Sequence, residues 1–161
     1  MLLLAFLGSG VATAQTTIGV GYQAMFIGDF LQGASVRGWF DNKWGLEGNV
    51  MYASVDAGGA DADMYFLAGK VMYAPIIREN SQFYVGFGGG FGSIDANLLG
   101  YGDLDTWVLG PMFGAEYRFQ GLPDLGFNWE VGYQFANMDA SGGDIDLNGI
   151  TVSLGVHYNL K

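Results

Sequence analysis

The sequence predicts an all-β protein, an eight-stranded antiparallel up-and-down transmembrane β-barrel. The first observation is the end of the chain, Ile150 to Leu160, where apolar residues at even positions alternate with Thr, Ser, Gly, His and Asn at odd positions. A period of two is that of a β-strand with one apolar and one polar face. The same alternation recurs in seven earlier segments, and no apolar run approaches the ~18 residues that a transmembrane helix needs.

The composition fits a single domain of 161 residues with 28 glycines and 16% aromatic residues. Its formal net charge of −10 argues against nucleic acid as a partner, because the phosphates would repel the chain. The chain has no cysteine, which excludes disulfides and thiolate metal sites.

The first segment, residues 1–14, has the pattern of an export signal. Leu2 to Leu7 form a short apolar core, and Ala12-Thr13-Ala14 is a small-residue cleavage pattern. The Lys or Arg expected near the start is missing, so either the true start lies upstream or the signal is atypical. We expect a mature barrel domain at residues 15–161.

The first four strands are predicted at 16–27, 33–40, 44–55 and 63–74. Each carries a row of apolar residues at every second position: Ile18, Val20, Tyr22 and Phe26; Val36 and Phe40; Trp44, Leu46, Val50 and Tyr52; Tyr65, Leu67, Val71 and Tyr73. The opposite faces of these strands carry polar residues, which are Gln23, Arg37, Glu47, Asn49 and Lys70.

The last four strands are predicted at 82–93, 105–118, 125–137 and 148–160. Their apolar rows begin with Phe83, Val85, Phe87 and Phe91, then Trp107, Leu109, Phe113 and Tyr117, then the alternate residues from Leu125 to Phe135. Glycines and polar residues occupy the opposite face, among them Glu116, Asn128, Glu130, Gln134 and His157. Pro111 lies in mid-strand on the apolar face, where it predicts a bulge beside Gly110.

The arrangement of charges and aromatic residues decides which face points outward. A soluble lipid-binding barrel would place its apolar face inside, whereas a membrane barrel places it outside. Here the charges lie in mid-strand on the polar face. Aromatic residues bracket the apolar face, from Trp44 to Tyr52, Tyr65 to Tyr73 and Trp107 to Tyr117. At about 2.5 Å of barrel height per residue these spans measure roughly 20–25 Å, close to the apolar band of a membrane barrel.

The predicted connections differ in charge on the two sides. The turns at 41–43, 75–81 and 119–124 lie on the side of the N-terminus, which we expect to be periplasmic, and they contain Lys43 and Arg78. The connections at 28–32, 56–62, 94–104 and 138–147 and their flanks carry ten aspartates and no Lys or Arg. The outward rim is therefore acidic.

From residue 16 to 161 the chain resembles the small eight-stranded outer-membrane β-barrels, the OmpA/OmpX-like group often described as porin-family proteins of the Gram-negative envelope. The most specific piece is the ending Gly155-Val156-His157-Tyr158-Asn159-Leu160, similar to the C-terminal signal that the outer-membrane assembly machinery reads. In that signal Gly155, Tyr158 and Leu160 match the pattern, although Leu160 stands where Phe is usual and Lys161 follows it. The resemblance implies outer-membrane lipid and lipopolysaccharide as surroundings. The oligomeric state stays open, with a monomer favoured, and we expect no cofactor.

Charged residues on the inward face form the main candidate site. If Phe40 pairs with Trp44, Arg37 lies opposite Glu47, and if Tyr52 pairs with Tyr65, Glu47 lies opposite Lys70. With Glu116, Arg118 and Glu130 the lumen would hold three cations and three anions, which must neutralise one another when buried. We interpret this network as a structural plug; a gated proton or ion path is the alternative.

Two further patterns were considered as sites. His157, the only histidine, has Ser153 on the same face, but four residues of strand separate them by about 13 Å, which is too far for a catalytic pair. Three Asp-x-Asp pairs precede the lipid-facing rows and are candidates for Ca²⁺ or Mg²⁺ bridges to lipopolysaccharide, or else form a hydrated rim: Asp61 and Asp63, Asp103 and Asp105, Asp144 and Asp146.

These observations favour a non-enzymatic outer-membrane barrel with a structural or surface role in the cell envelope. Three rivals remain at this point: a narrow channel for ions or small solutes, an outer-leaflet enzyme and a soluble lipid carrier. Conductance in planar bilayers would separate the first of these from a plugged barrel.

Overall fold

The computed structural model describes residues 16–27, 29–56, 61–95, 103–140 and 143–160, which form eight antiparallel strands in a closed barrel. Each strand pairs with its neighbours in the chain, and the last pairs with the first. The predicted eight-stranded up-and-down barrel is therefore confirmed; the predicted export signal lies outside the described residues. The strands are β1 (Thr17–Ile27), β2 (Asp29–Phe40), β3 (Trp44–Asp56), β4 (Asp61–Arg78), β5 (Ser81–Asp95), β6 (Asp103–Phe119), β7 (Leu122–Ala140) and β8 (Gly143–Leu160).

The outward face of the barrel is apolar, as the alternation predicts. Large apolar side chains of every strand are exposed, for example Val50 at 65% and Ile150 at 71%. Inward side chains such as Arg37, Glu47 and Glu130 are buried. Within the part of the chain that the structure describes, there is no helix long and apolar enough to cross a membrane.

Aromatic pairs mark both limits of the apolar band. At the end that carries the β2–β3, β4–β5 and β6–β7 turns, which we name the turn end, Trp44 packs on Tyr73 with ring centroids 5.0 Å apart. At the opposite end, named the loop end, Tyr52 packs on Tyr65 at 5.3 Å. Such paired, amphipathic rings are typical of the girdles of membrane barrels.

The register is the one that the sequence predicts. Phe40 pairs with Trp44 across the β2–β3 turn, and Tyr52 pairs with Tyr65 between β3 and β4. The β2–β3 turn contains Asp41 and Asn42 with φ of 50° and 55°, values that Asp and Asn tolerate better than most residues.

Several strands are longer than predicted. The predicted loop 28–32 is wrong, because β2 already begins at Asp29, and the predicted turns 75–81 and 119–124 shrink to residues 79–80 and 120–121. Most of the predicted connection 138–147 is also strand. The reason is that hairpin hydrogen bonds continue past the apolar band, where the sequence no longer alternates with apolar residues on the outward face.

The predicted bulge beside Pro111 is also wrong. The β6–β7 ladder omits Gly110 and Pro111 but resumes in the same register, with Leu109 opposite Phe135 and Met112 opposite Gly132. Proline removes one hydrogen bond there without an extra residue in the strand. A register shift does occur in β4, between Tyr73 and Ile76, at the position of Pro75.

Two apolar clusters lie inside the barrel. The turn-end cluster contains Trp39, Met72, Ala74, Tyr84 and Met112. The loop-end cluster contains Met25, Leu31, Met51, Ala53 and Phe66. Polar and charged side chains occupy the lumen between them, so the inner face changes character along the barrel axis.

A salt-bridge network as the candidate functional site

Arg37 of β2 is the centre of a network that crosses the lumen. Its guanidinium bonds Glu47 of the neighbouring strand β3, and it reaches Glu116 Oε2 on β6 at 3.2 Å and Glu130 Oε1 on β7 at 2.8 Å. Because β2 lies across the barrel from β6, a single side chain connects opposite walls.

Lys70 and Arg118 complete the network. Lys70 Nζ contacts Glu47 Oε1 at 2.8 Å and Glu130 Oε2 at 2.6 Å. Arg118 Nη2 contacts Glu116 Oε1 at 2.7 Å, nearer the turn end. The structure thus brings together all six charged residues that the sequence placed in the lumen, in one chain of contacts.

The network is buried and electrically balanced. The side chains of Arg37, Glu47 and Glu130 are at most 3% exposed, whereas that of Arg118 is 30% exposed. Three cations face three carboxylates, so the network as a whole is neutral, and Arg118 is its one partly exposed member. This balance matters because an unpaired ion costs several kcal/mol in such a site.

Neutral donors supply further contacts that the sequence analysis did not identify. Gln23 Nε2 donates to Glu130 at 3.1 Å, and the Tyr84 hydroxyl donates to the same carboxylate at 2.9 Å. The Arg37 guanidinium also lies over the Tyr84 ring, 5.4 Å from its centroid. Tyr84 lies between the outward residues Phe83 and Val85, so the alternation along β5 places its side chain in the lumen.

His157 pairs with a serine, but with Ser35 rather than Ser153. The Ser35 hydroxyl and His157 Nε2 are 2.6 Å apart. Gly21 of β1 pairs with both residues and separates their strands. A Cβ atom at Gly21 would lie 2.8 Å from the imidazole Cδ2, so the missing side chain is what lets the two meet. Both partners are buried, which gives this pair a packing role.

Cavities lie on both sides of the network. The turn-end cavity has a volume of about 210 Å³ and is lined by polar residues that include Gln82, Glu116 and Arg118. The loop-end cavity has a volume of about 450 Å³ and a mainly apolar lining. Only a space of about 30 Å³ lies beside Lys70 and Glu130. Of these three spaces, the one beside the network is the smallest.

The acidic rim is only partly described. The backbones of Asp61, Asp103 and Asp144 lie at the loop-end limits of their strands, while their side chains lie outside the described part. Two of the other aspartates have protein partners: Tyr52 donates to Asp63 at 2.8 Å, and Asn137 donates to Asp146 at 3.0 Å. Asp105 is exposed.

The described side chains contain no group of three or more His, Asp or Glu residues that could hold a metal ion. A cation bridge between the rim and lipopolysaccharide stays a prediction from the sequence.

The predicted assembly signal lies in β8, the strand that closes the barrel. Tyr158 pairs with Val20 and Leu160 with Ile18, and both Tyr158 and Leu160 point outward. Gly155 has a structural role of its own, because a Cβ atom there would lie 2.5 Å from Asn128 Oδ1. Recognition by the assembly machinery stays a prediction.

Comparison with solved structures supports the fold. The N-terminal β-barrel domain of Pseudomonas aeruginosa OprF matches with a TM-score of 0.56 and 13% identity, covering 91% of this chain and 99% of that one. A major outer membrane protein from Thermus thermophilus matches with a TM-score of 0.58 and 16% identity, covering 91% of this chain and 100% of that one. Neisserial surface protein A matches with a TM-score of 0.51 and 15% identity, covering 89% and 94% respectively.

No family model and no curated protein matches the sequence. Sequence identities this low show a shared architecture only. That architecture agrees with the strand order of this chain and with its outward apolar face. The chain therefore has the fold of the small eight-stranded outer-membrane β-barrels.

Proposed function

We propose that this protein is an integral outer-membrane barrel with a structural or surface role in the cell envelope, and that side chains close its lumen. The exposed apolar band and the aromatic pairs at its two limits support the membrane location. The chain shares its fold with solved outer-membrane barrels, which supports the outer membrane as its location. Catalysis is not part of the proposal, since the only histidine is buried against Ser35.

The observation that carries the closed lumen is the span of Arg37. This one guanidinium bonds carboxylates of β3, β6 and β7, and all four groups are buried. An eight-stranded barrel has an interior just wide enough for side chains to fill. Opening a water path would separate at least one of these ion pairs, which is costly in a site so poorly hydrated.

The orientation follows from charge. We propose that the turn end and both termini face the periplasm and that the loop end faces outward, among lipopolysaccharide. The acidic connections at the loop end, without Lys or Arg, contrast with Lys43 and Arg78 at the turn end. The barrel would act as a monomer that the outer-membrane assembly machinery inserts.

Planar bilayer recording tests the closed lumen. We expect purified, heat-modifiable barrel to insert without stepwise conductance above the noise of the lipid. Steps that scale with the amount of folded protein would overturn the plug and support the alternative of a narrow channel. The cavities on both sides of the network are the observation that favours this alternative, because the ion pairs lie between them.

A further inference from the structure

The loop-end part of the barrel reverses the polarity of the membrane band. Beyond the girdle residues Tyr52 and Tyr65, the outward positions become polar, with Ser54 exposed and Asp63 partly exposed. The inward positions at this height and just inside the girdle are apolar and form the loop-end cluster, against which Met64, Ala68 and Val108 pack. An apolar interior beneath a polar exterior is the arrangement of barrels that hold a small ligand in water.

The described side chains leave space in this part of the lumen. The loop-end cavity of about 450 Å³ lies within the usual range for small-molecule sites. Its apolar lining includes Leu31, Ala53, Met64, Phe66, Val108 and Met138. Phe66 forms its floor by packing over Gly90, where a Cβ atom would lie only 2.5 Å from the ring. The turn-end cluster, by contrast, packs a tryptophan, a tyrosine and two methionines into the lumen.

The lining indicates the chemistry of an occupant. None of the described residues that line the cavity is charged. An ion of either sign would thus be buried without a partner, which is strongly unfavourable. The acidic surroundings of the loop end would in addition repel anions. Few polar groups remain for specificity, and the Thr106 hydroxyl already donates to the Asn137 carbonyl at 3.1 Å.

We propose that the loop-end cavity is a binding site for an uncharged, mainly apolar small molecule. Met25 and Met51 of the loop-end cluster, with Met64 beside it and Met138 on the cavity wall, supply flexible and polarisable side chains that adapt to different shapes. This site goes beyond the proposed envelope role, and it requires the barrel but neither an open nor a closed lumen.

Methionine methyl NMR can test the site with an internal control. Met64 and Met138 line the loop-end cavity and Met25 and Met51 belong to the loop-end cluster beside it, whereas Met72 and Met112 belong to the turn-end cluster. Barrel labelled at the methionine methyls and reconstituted in lipid nanodiscs would be titrated with 1-octanol, octylammonium and octanoate. We expect saturable shifts of the first four methyls with octanol, unchanged Met72 and Met112, and at least about tenfold weaker binding of both ions.

A second test compares a variant that fills the cavity with a control that carries the same substitution outside it. Ala136→Phe places a ring in the cavity, and Ala34→Phe makes the same change on the exposed outward face. Octanol affinity should fall about tenfold or more, ~1.4 kcal/mol, in the first and stay within twofold of wild type in the second. Ala53→Phe replaces Ala136→Phe if the latter fails to show heat-modifiable folding.

Two results would overturn the site. One is a non-saturable shift shared by all six methyls, which means partition into lipid only. The other is unchanged octanol affinity in a folded cavity-filling variant.

Discussion

At the scale of single residues, the lumen is organised by mutual neutralisation. Glu47 is buried between Arg37 and Lys70, and Glu130 accepts hydrogen bonds from Arg37, Lys70, Gln23 and Tyr84. Each carboxylate thus has more than one donor, and each of the two buried cations has more than one carboxylate. The energetic consequence is that single changes should cost far more than paired ones.

Glu47→Gln tests this coupling. The change leaves Arg37 and Lys70 buried and under-neutralised, so we expect a loss of about 3–5 kcal/mol in the free energy of unfolding. The additional change Lys70→Gln restores equal numbers of cations and carboxylates and should recover part of the loss. The measurement is the folded fraction in lipid vesicles along a urea series, read from heat-modifiable migration.

Glu79→Gln is the control for that series, because Glu79 is exposed in the β4–β5 turn. It should lie within about 0.5 kcal/mol of wild type. If Glu47→Gln unfolds like this control, the network is hydrated and contributes little to closing the lumen.

Close packing inside the barrel gives a second prediction at the residue scale. A Cβ atom at Gly90 would lie 2.5 Å from Phe66 Cε1 and 2.6 Å from the Leu67 carbonyl oxygen. Gly90→Ala should therefore destabilise the barrel by roughly 1–3 kcal/mol through overpacking. Gly48→Ala, at an outward position with no atom within 4 Å of the added Cβ, should be nearly neutral. Equal unfolding curves for the two variants would show that the wall around Phe66 yields easily.

At the scale of elements, each strand presents one face to lipid and the other to the lumen. The face is set by parity, and the pairing register aligns the faces of neighbouring strands, as where Val50 lies opposite Leu67. Both side chains are exposed, at 65% and 46%, and they lie inside the apolar band, two residues from the loop-end aromatic pair of β3 and β4.

Leu67→Arg tests the membrane-facing role of this strand face. An arginine near the bilayer midplane of a barrel costs about 2–4 kcal/mol, and the cost falls to about 0–1 kcal/mol near the interface. Leu67 lies between these two depths, so we expect Leu67→Arg to lose about 2 kcal/mol in lipid vesicles. Ser54→Arg, exposed beyond the girdle, should change the free energy of unfolding by about 1 kcal/mol or less. Similar values for both would contradict burial of Leu67 in lipid.

At the scale of the whole molecule, β8 closes the barrel against β1 and so places both described chain ends at the turn end. The proposed orientation then puts the connections that lack Lys and Arg outside and the turns with Lys43 and Arg78 in the periplasm. The chain has no native cysteine, so single cysteines report on one position each.

Surface labelling checks the orientation. A polyethylene-glycol maleimide too large to pass porins should modify Ser54→Cys and Asp146→Cys in intact cells. It should reach Lys43→Cys and Gly121→Cys, which are exposed at the turn end, only after the outer membrane is permeabilised. Labelling of the turn-end pair in intact cells would reverse the topology.

The number of strands, the face that each turns outward and the register of the charged row can all be predicted from the amino-acid sequence. These properties follow from the two-residue period along each strand and from the pairing of consecutive strands as hairpins. Both are local properties of the sequence. Given the Phe40–Trp44 and Tyr52–Tyr65 pairs, the position of Arg37 opposite Glu47 and of Glu47 opposite Lys70 is a matter of counting. The lengths of the strands were underestimated, because hydrogen-bonded hairpins continue where the hydrophobic signal ends.

Only the tertiary structure decided which side chains meet across the lumen. Contacts such as Arg37 with Glu116 and Glu130, or Ser35 with His157, join strands that are not consecutive, and they depend on the stagger of the closed barrel. The apolar loop-end cavity also emerges only there, because its wall combines inward residues of several strands whose individual patterns are ordinary. Alternation determines which face of the sheet a residue occupies, whereas closure of the sheet determines which residues lie at the same height along the barrel axis.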